Sequence, residues 1–403
     1  MKIDEVRVLD GGAGVTLVEV AAEGVVGIGL TQSAFEYVSP IIERGPYPVG
    51  PGLIGADPRE PARLWWQMFQ AFGAAKGRGS ESGLAVNAMA ALDMAVWDLA
   101  GKVSGRPLHS LLGGVVRESI PAYASSSLFI ASSFESDGMA TRRLKSADEL
   151  HAEAASHVRD GFGAVKFGWG NNFSAADVER LEAIRAGLGP DVKLMIDIGC
   201  PAYWSPGWNV TAARRAARIL EAFDVYLIEE PMPPQDVEGH RRIRGSAAIN
   251  IATGESLTLA EEFGRFIDAG AVDVVQPDAA QIGITQLVDV ARHAEAAGVL
   301  CIPHSPWSAV AIGAHAQACL TFRNSSMVEF PALSSFEAGS DIGASTAFYL
   351  RDLVEHPPAL VDGALLPSTR PGLGLGGFRP DALERLARSA VRAPGTWVGA
   401  RGE

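Results

Sequence analysis

The segments KLMIDIG (193–199), VYLIEEP (225–231) and INIATGE (249–255) share one pattern, a short apolar run that closes on acidic residues near glycine or proline. Runs of this length and composition are typical of buried strands. Five similar runs complete the set: IPAYASS (120–126), AVKFGWG (164–170), VDVVQPD (272–278), VLCIPHS (299–305) and SMVEFP (326–331). Helical periodicity lies between most of them, so the sequence predicts eight βα units and a closed (β/α)8 barrel.

The charge and the cysteines narrow the classes of function. The 403 residues carry a formal net charge of −13, which argues against a nucleic-acid partner. The N-terminus has no apolar signal core, and no apolar run predicts a membrane span. Cys200, Cys301 and Cys319 form an odd, widely spaced set, which is typical of a reducing compartment. We therefore predict a cytoplasmic protein without a disulfide framework.

The first 120 residues differ from the predicted barrel. Short apolar strands separated by glycine turns precede a segment rich in proline and glycine and then two helical segments, the stronger at 84–102. We interpret residues 1–120 as an α+β domain whose loops cover the barrel, residues 121–350 as the barrel, and residues 351–403 as a separate C-terminal segment. Glycine-rich loops beside a barrel mouth are typical of lids.

Three consecutive barrel strands end in carboxylates, and these predict a metal site. Asp197 ends the third strand, Glu229 or Glu230 the fourth, and Glu255 the fifth. Neighbouring strands lie about 4.8 Å apart, so the three anions would repel one another strongly without a cation. An all-oxygen set suits a hard divalent ion, above all one Mg²⁺. Because side chains alternate along a strand, only one of Glu229 and Glu230 is expected to point inward, and periodicity alone does not decide which.

The remaining strand ends supply acid–base groups. Asp278 and His304 end the sixth and seventh strands, so the carboxylate is expected to orient the imidazole as a general base or acid. Lys166, in an apolar setting on the second strand, is a candidate base or anion-holding cation. Glu329 on the eighth strand could, if protonated, donate a hydrogen bond to an anionic oxygen. Together these groups predict removal of the proton beside a carboxylate, which gives an ene-diolate.

The same residues resemble the enolase superfamily, and within it the mandelate racemase subgroup. The helical segment AVNAMAALDMAVWDLAGK (85–102) and the following LLGG (111–114) are similar to the signature that precedes the barrel in that subgroup. RPGLG (370–374) resembles the return of the chain to the capping domain. The resemblance covers nearly the whole chain. It implies a modified TIM barrel with an N-terminal α+β capping domain that is completed by the C-terminal tail.

The resemblance also implies roles for individual residues. It assigns Asp197, the first glutamate Glu229, and Glu255 as Mg²⁺ ligands. It makes Asp278 and His304 the acid–base pair, and Glu329 a hydrogen-bonding partner of the substrate carboxylate. The family implies a homo-oligomer, a dimer or an octamer.

Two positions depart from the family pattern. Racemases of the subgroup carry Lys-x-Lys on the second strand, whereas this chain has Lys166 followed two residues later by Gly168. Racemisation normally needs a base on each face of the carbanion, so Gly168 disfavours it. Gln281 stands where the cycloisomerase and dipeptide-epimerase branches carry a sixth-strand lysine, which disfavours those branches.

The resemblance therefore favours a Mg²⁺-dependent sugar-acid dehydratase, a hydro-lyase that converts an aldonate or aldarate to a 2-keto-3-deoxy acid. Catalytic residues would be Lys166, Asp278, His304 and Glu329. Candidate substrate contacts are Tyr47, Ser125, Trp169 and Trp307. The alternatives are a racemase or epimerase of a 2-hydroxy acid, a catalytically silent protein that binds metal and carboxylate, and an unrelated barrel enzyme such as a metal-dependent aldolase.

Overall fold

A computed structural model describes seven stretches of the chain: residues 1–44, 48–76, 82–134, 140–169, 173–199, 208–305 and 308–390. The N-terminal part begins with an antiparallel meander in the order β1-β2-β3. Its strands and the helices that follow are β1 (Glu5–Gly12), β2 (Val15–Ala22), β3 (Val25–Thr31), α1 (Phe35–Ser39), α2 (Pro61–Lys76), α3 (Leu84–Ser104) and α4 (Leu108–Leu111). The predicted α+β character of this region is confirmed.

Eight parallel strands form the barrel. They are β4 (Ile120–Ser127), β7 (Ala164–Gly168), β8 (Lys193–Asp197), β9 (Val225–Glu229), β10 (Asn250–Thr253), β11 (Val274–Val275), β12 (Leu300–Cys301) and β13 (Val328–Pro331). Their spatial order is β12-β11-β10-β9-β8-β7-β4-β13. At the end strand β12, the N–H of Cys301 donates to the carbonyl of Asn324, in the segment that precedes β13, at 3.0 Å. The predicted strands and their sequential order are therefore confirmed.

Helices follow most of the barrel strands, as βα alternation requires. They are α5 (Ala147–Arg159), α6 (Ala175–Leu188), α7 (Val210–Glu221), α8 (Val237–Arg244), α9 (Ala260–Asp268), α10 (Ala279–Ala296) and α11 (Ala309–Cys319). A hairpin of β5 (Phe129–Phe134) and β6 (Ala140–Leu144) is inserted after the first barrel strand. Single turns of 3₁₀ or π helix occupy Pro40–Arg44, Pro51–Leu53, Leu333–Ser335 and Phe348–Asp352.

Helix α3 is the core element that joins the N-terminal sheet to the barrel. Within the described residues it is the one helix long and apolar enough to cross a membrane, which corrects the expectation that the chain has no such run. Its side chains are nevertheless mostly buried inside the protein. Strand β3 approaches it closely, because a Cβ at Gly29 would lie 2.1 Å from the carbonyl oxygen of Ala91. Such close packing identifies α3 as a core helix.

The C-terminal segment returns to the N-terminal part. It contains β14 (Ala364–Leu365) and α13 (Pro380–Ala390), and α12 (Asp341–Ala347) lies just before it. The N–H of Leu373 donates to Asp98 of α3 at 2.8 Å, and Lys102 donates to the carbonyl of Gly376 at 2.6 Å. Tyr349 donates to the carbonyl of Gly12 at 3.0 Å. The tail thus completes the capping domain, as the resemblance implied.

Candidate active site

The barrel register brings the predicted residues to one end of the sheet. Asp197 lies directly opposite Gly168 on one neighbouring strand and Glu229 on the other. Lys166 pairs in register with Ser125 of the first strand. Because the carboxyl ends of parallel strands meet at one face of a barrel, the charged groups collect there.

Lys166 lies between two carboxylates at the centre of this face. Its Nζ is 2.9 Å from Glu229 Oε2 and 3.0 Å from Glu329 Oε1, and all three side chains are buried. Burial alone would lower the pKa of Lys166, but the charges of Glu229 and Glu329 outweigh it and raise the pKa well above its ordinary value. In this arrangement Lys166 is a fixed cation.

The three predicted metal ligands form one electrostatic cluster. Burial raises the pKa of Asp197 to about 6, with Glu255 adding to the effect and Lys166 opposing it. Burial also raises the pKa values of Glu229 and Glu255, and in each case neighbouring carboxylates of the cluster add to the shift. Removal of carboxylates from water disfavours their charged forms, and a cation would reverse this.

Two of these carboxylates, Glu229 and Glu255, are engaged by side chains of the protein. Across the described stretches, no three acidic, histidine or cysteine side chains converge closely enough to hold an ion. Lys166 occupies one oxygen of Glu229, and His304 Nε2 lies 3.0 Å from Glu255 Oε2. The other oxygen of Glu229, Oε1, is buried and has no hydrogen-bond partner among the described residues. An unpaired carboxylate oxygen within an all-oxygen donor set suits a hard cation.

Glu230 is a fourth buried carboxylate close to the cluster. Its φ is +45°, in the left-handed region that non-glycine residues rarely adopt. Strand β9 ends at Glu229, so the strict alternation of a strand ends there too. Burial and the charges of Glu255 and Asp197 raise the pKa of Glu230 to about 9. The side chain is therefore buried close to the same charges.

Asp278 and His304 form the predicted pair. Asp278 Oδ2 lies 3.1 Å from His304 Nδ1, and its Oδ1 accepts a hydrogen bond from the N–H of Ala280 at 2.8 Å. Asp278 is thus also the N-cap of α10. Burial lowers the pKa of His304, but Glu255, Asp278 and Glu329 outweigh this effect and raise it to about 10. In the protein alone, these neighbouring charges favour the protonated form of His304.

The surroundings of Glu329 favour its ionised, hydrogen-bond-accepting form, and its role as a protonated donor stays a prediction. Burial by itself would raise its pKa, but Lys166, His304 and hydrogen bonds from Ser125 and the Ser305 N–H lower it to about 2. The Ser305 N–H lies 2.8 Å from Glu329 Oε2. Glu329 therefore accepts hydrogen bonds, and Ser125 reaches the site through it.

Of the other three predicted substrate contacts, only Trp169 lies within the described residues. The side chain of Trp169 is fully buried and stacks on Phe173, with ring centroids 5.2 Å apart. It belongs to the hydrophobic core, which does not favour a substrate contact, and that role stays a prediction. Tyr47 and Trp307 lie outside the described residues.

A cavity of about 520 Å³ opens beside His304 and Glu255. Its wall is shared between the barrel and the capping domain, which contributes Gln32 and Asn87. Gln281 also lines it and lies in the first turn of α10, three residues beyond the strand-end Asp278. The comparison of Gln281 with a strand-end lysine is therefore not supported by its position.

Hydrogen bonding settles the orientation of the Gln281 amide. Asn87 Nδ2 donates to the backbone carbonyl of Gln281 at 3.0 Å and to its side-chain Oε1 at 2.7 Å. A carbonyl can only accept, so the contacting atom of Asn87 is its nitrogen and the contacting atom of Gln281 is its oxygen. The Gln281 NH₂ group therefore remains as a donor on the cavity wall.

His315 is a site residue that sequence reasoning missed. It lies on α11, fully buried, with Nε2 3.6 Å from Asp278 Oδ1. The sequence offered one signal, a histidine in the otherwise apolar helical run that follows His304. That position is equally typical of a packed core histidine.

The barrel, its capping domain and the carboxylate, lysine and histidine groups at the strand ends define an enolase-superfamily protein. A family model for the mandelate racemase/muconate lactonizing enzyme N-terminal domain matches residues 10–113. A model for the enolase C-terminal domain-like family matches residues 149–377. The chain therefore belongs to the mandelate racemase/muconate lactonizing enzyme family of the enolase superfamily.

Two curated relatives and one solved structure show the range of similar proteins. The chain is 32% identical to a 3,6-anhydro-alpha-L-galactonate cycloisomerase of Streptomyces coelicolor over 84% of this chain and 81% of the relative. It is 30% identical to an L-talarate/galactarate dehydratase of Salmonella typhimurium over 81% of this chain and 71% of the relative. A mandelate racemase/muconate lactonizing protein of Paracoccus denitrificans, solved in complex with magnesium, is 27% identical with a TM-score of 0.78, covering 95% and 96% of the two chains.

The names of these relatives support an enolase-superfamily reaction on a sugar acid. They also correct the expectation about cycloisomerases. Sequence reasoning disfavoured cycloisomerases on the basis of Gln281. Relatives with that name are among the similar proteins, so the branch is not excluded.

Proposed function

We propose that this protein is a Mg²⁺-dependent dehydratase of a sugar acid. It would remove the proton from the carbon beside the carboxylate and expel the hydroxyl group from the next carbon. The enol that results would tautomerise to a 2-keto-3-deoxy acid. Water is the only other product, so no oxidant or second substrate is needed.

One observation carries the proposal: a lysine and a histidine contact different carboxylates of the same cluster. Lys166 contacts Glu229. His304 contacts Glu255 through Nε2 and Asp278 through Nδ1. Proton abstraction beside a carboxylate needs a positioned base together with positive charge for the developing dianion. The strand ends supply both.

Asp197, Glu229 and Glu255 would hold the cation, and the unpaired Oε1 of Glu229 supports this assignment. When bound, Mg²⁺ would neutralise part of the carboxylate charge and stabilise the negative charge that develops on the substrate. Among the protein's own groups, Lys166 would pair with the substrate carboxylate. With Glu255 committed to the cation, the negative charge that favours protonated His304 would be reduced, so that neutral His304 could take the α-proton. The imidazolium so formed would protonate the leaving hydroxyl.

The cavity wall supports a hydroxyl-rich substrate. Gln32 and Asn87 from the capping domain, with Gln281 from the barrel, line the space beside His304. Gln281 presents an amide donor there, whereas Gln32 Nε2, which has no hydrogen-bond partner among the described residues, is itself buried and would have to turn to reach a substrate. Neutral amides of this kind bind hydroxyl and carbonyl oxygens. A purely apolar substrate would leave these donors unpaired at a cost.

A cycloisomerase is the second candidate, favoured by the identity to relatives of that name. It would use the same proton removal beside a carboxylate but end in ring opening or closure without loss of water. Racemisation is disfavoured, because Gly168 removes the second strand-two lysine.

The deciding experiment screens purified protein with Mg²⁺ against aldonic acids, aldaric acids, anhydro-aldonates and sugar lactones in ²H₂O. A dehydratase releases a 2-keto-3-deoxy acid, detected as its semicarbazone, from at least one acid. Isomerised product of unchanged mass identifies a cycloisomerase, and reversible deuterium exchange without elimination identifies an epimerase. Binding without any turnover, unaffected by His304→Asn, would indicate a silent binding protein.

Localisation and assembly remain predictions. Cys301 and Cys319 are buried free thiols, which supports the proposed cytoplasmic setting. The proposed dimer or octamer is tested by measuring the mass in solution.

A further inference from the structure

His315 is a buried titratable group that the proposed chemistry does not use. It lies on α11 with no exposed surface. Its Nε2 accepts a hydrogen bond from the N–H of Ala279 at 2.8 Å, and Ala279 is the first residue of α10. The N-cap of that helix is Asp278, the partner of His304.

The contact settles the protonation of His315. Because an N–H points at Nε2, that nitrogen carries the lone pair, and the ring proton is on Nδ1. Burial supports the neutral form, since it lowers the pKa of His315 to about 4 despite the nearby Asp278 charge. The 3.6 Å approach of Nε2 to Asp278 Oδ1 joins two acceptors and is not a hydrogen bond.

The first N–H groups of a helix need acceptors from outside the helix. Asp278 Oδ1 takes the N–H of Ala280 at 2.8 Å, and Asp278 Oδ2 faces His304 at 3.1 Å. The N–H of Ala279 is buried in the same place and has His315 as its acceptor. Without His315, the Asp278 carboxylate is the adjacent acceptor, and it could rotate toward this N–H only by weakening its contact with His304.

We propose that His315 is a positioning residue: as the acceptor for the Ala279 N–H, it reserves the Asp278 carboxylate for His304. The proposal rests on the proposed function of His304 only for its catalytic consequence. The hydrogen-bond arrangement itself can be tested without turnover.

The test compares His315→Leu, which keeps the bulk but has no acceptor, with His315→Gln, whose amide oxygen can replace Nε2. In the wild-type protein, ¹⁵N NMR of labelled histidine should show His315 as the neutral Nδ1–H tautomer. A downfield proton of the His304–Asp278 hydrogen bond should weaken or shift in His315→Leu and persist in His315→Gln. A His315 protonated on Nε2, or a His304 signal identical in both variants, would overturn the proposal.

Turnover adds a second readout once a substrate is known. We expect His315→Leu to lower kcat by about 10- to 100-fold with KM little changed, and His315→Gln to restore most of it. Equal kcat in wild type and His315→Leu, with both folded by circular dichroism, would reject the positioning role. If the wild-type protein turns over no carboxylic acid, the proposed function fails, and the NMR result still decides the role of His315.

Discussion

Two groups of carboxylates in this protein differ in the donors they face. On α3, Asp93 accepts hydrogen bonds from the N–H and hydroxyl of Thr285, and Asp98 accepts the N–H groups of Ile28 and Leu373. At the strand ends, by contrast, Glu229 and Glu255 face the side chains of Lys166 and His304.

The difference separates a structural role from a functional one. Backbone N–H groups are placed by the fold and cannot leave, so the α3 carboxylates join the capping domain, the barrel and the tail permanently. Charged side chains can exchange partners when a ligand arrives. The strand-end carboxylates also repel one another, and a bound cation would reduce this repulsion. Backbone N–H groups predominate as donors on α3, where Asp98 also pairs with Lys102, whereas charged side chains are the donors to Glu229 and Glu255.

The largest expected effect is on the strand-end group. His304→Asn should lower turnover by about a thousandfold, because it removes the acid–base group while keeping a hydrogen-bonding side chain. The matched control is His293→Asn, since His293 is an exposed histidine paired with Asp268 at 2.8 Å. Steady-state kinetics on the identified substrate should show the loss only in the first variant. Comparable losses in both would remove His304 from its role.

On α3 the same kind of isosteric change should act on stability alone. Asp98→Asn weakens the ion pair with Lys102 at 2.6 Å and one of two backbone hydrogen bonds. We expect the free energy of unfolding in urea to fall by about 2–4 kcal/mol, with kcat of the folded protein unchanged. A variant that unfolds normally but loses kcat would place Asp98 in the functional group instead.

Asp93 should make stability depend on pH. Burial raises its pKa from 3.8 to about 7, although Thr285 hydrogen bonds oppose the shift. Between these values the folded protein holds a proton that the unfolded chain has lost, so stability should fall as pH rises through this window and level off above it. The full effect is about 4 kcal/mol. The difference in unfolding free energy between Asp93→Asn and wild type should move in favour of the variant from pH 4 to pH 8, and a constant difference would contradict the assignment.

Mg²⁺ should stabilise the folded protein through the strand-end carboxylates and not through those on α3. Millimolar Mg²⁺ should raise the Tm of the metal-free protein by a few degrees, because an ion that binds only the folded state stabilises it. Glu255→Gln should lose this increase, and Asp98→Asn should keep it despite its lower starting Tm. Calorimetry with and without EDTA provides the measurement. An increase that survives Glu255→Gln would move the ion to other ligands.

The smallest expected effect is that of adding a methyl group at Gly168, on a barrel strand, compared with Gly29, which packs against α3. A Cβ at Gly168 would meet nothing closer than the carbonyl oxygen of Ser126 at 3.6 Å. Gly168→Ala should therefore change the free energy of unfolding by less than about 1 kcal/mol. Gly29→Ala is the contrast, because its Cβ would overlap the backbone of α3. Equal stability of the two variants would contradict the difference in packing.

Much of the fold could be predicted from the sequence, because each barrel strand is a short apolar run with its own boundary signals. The strand order followed from βα alternation. Helix α8 (Val237–Arg244) was missed, since it is short and rich in arginine. Trp169 was assigned to the substrate because it follows a strand end, but its ring turns into the core and stacks on Phe173.

The amino-acid sequence alone determined which chemical groups reach the barrel mouth, because strand period and parallel order place the residue at each strand end. Only the tertiary structure decided how those groups pair. The left-handed φ of Glu230 depends on backbone detail at the end of its strand. Three contacts depend on segments far apart in the chain: His304 with Glu255, Asn87 with Gln281, and His315 with Ala279. Such pairings arise from packing between elements, and no local pattern encodes them.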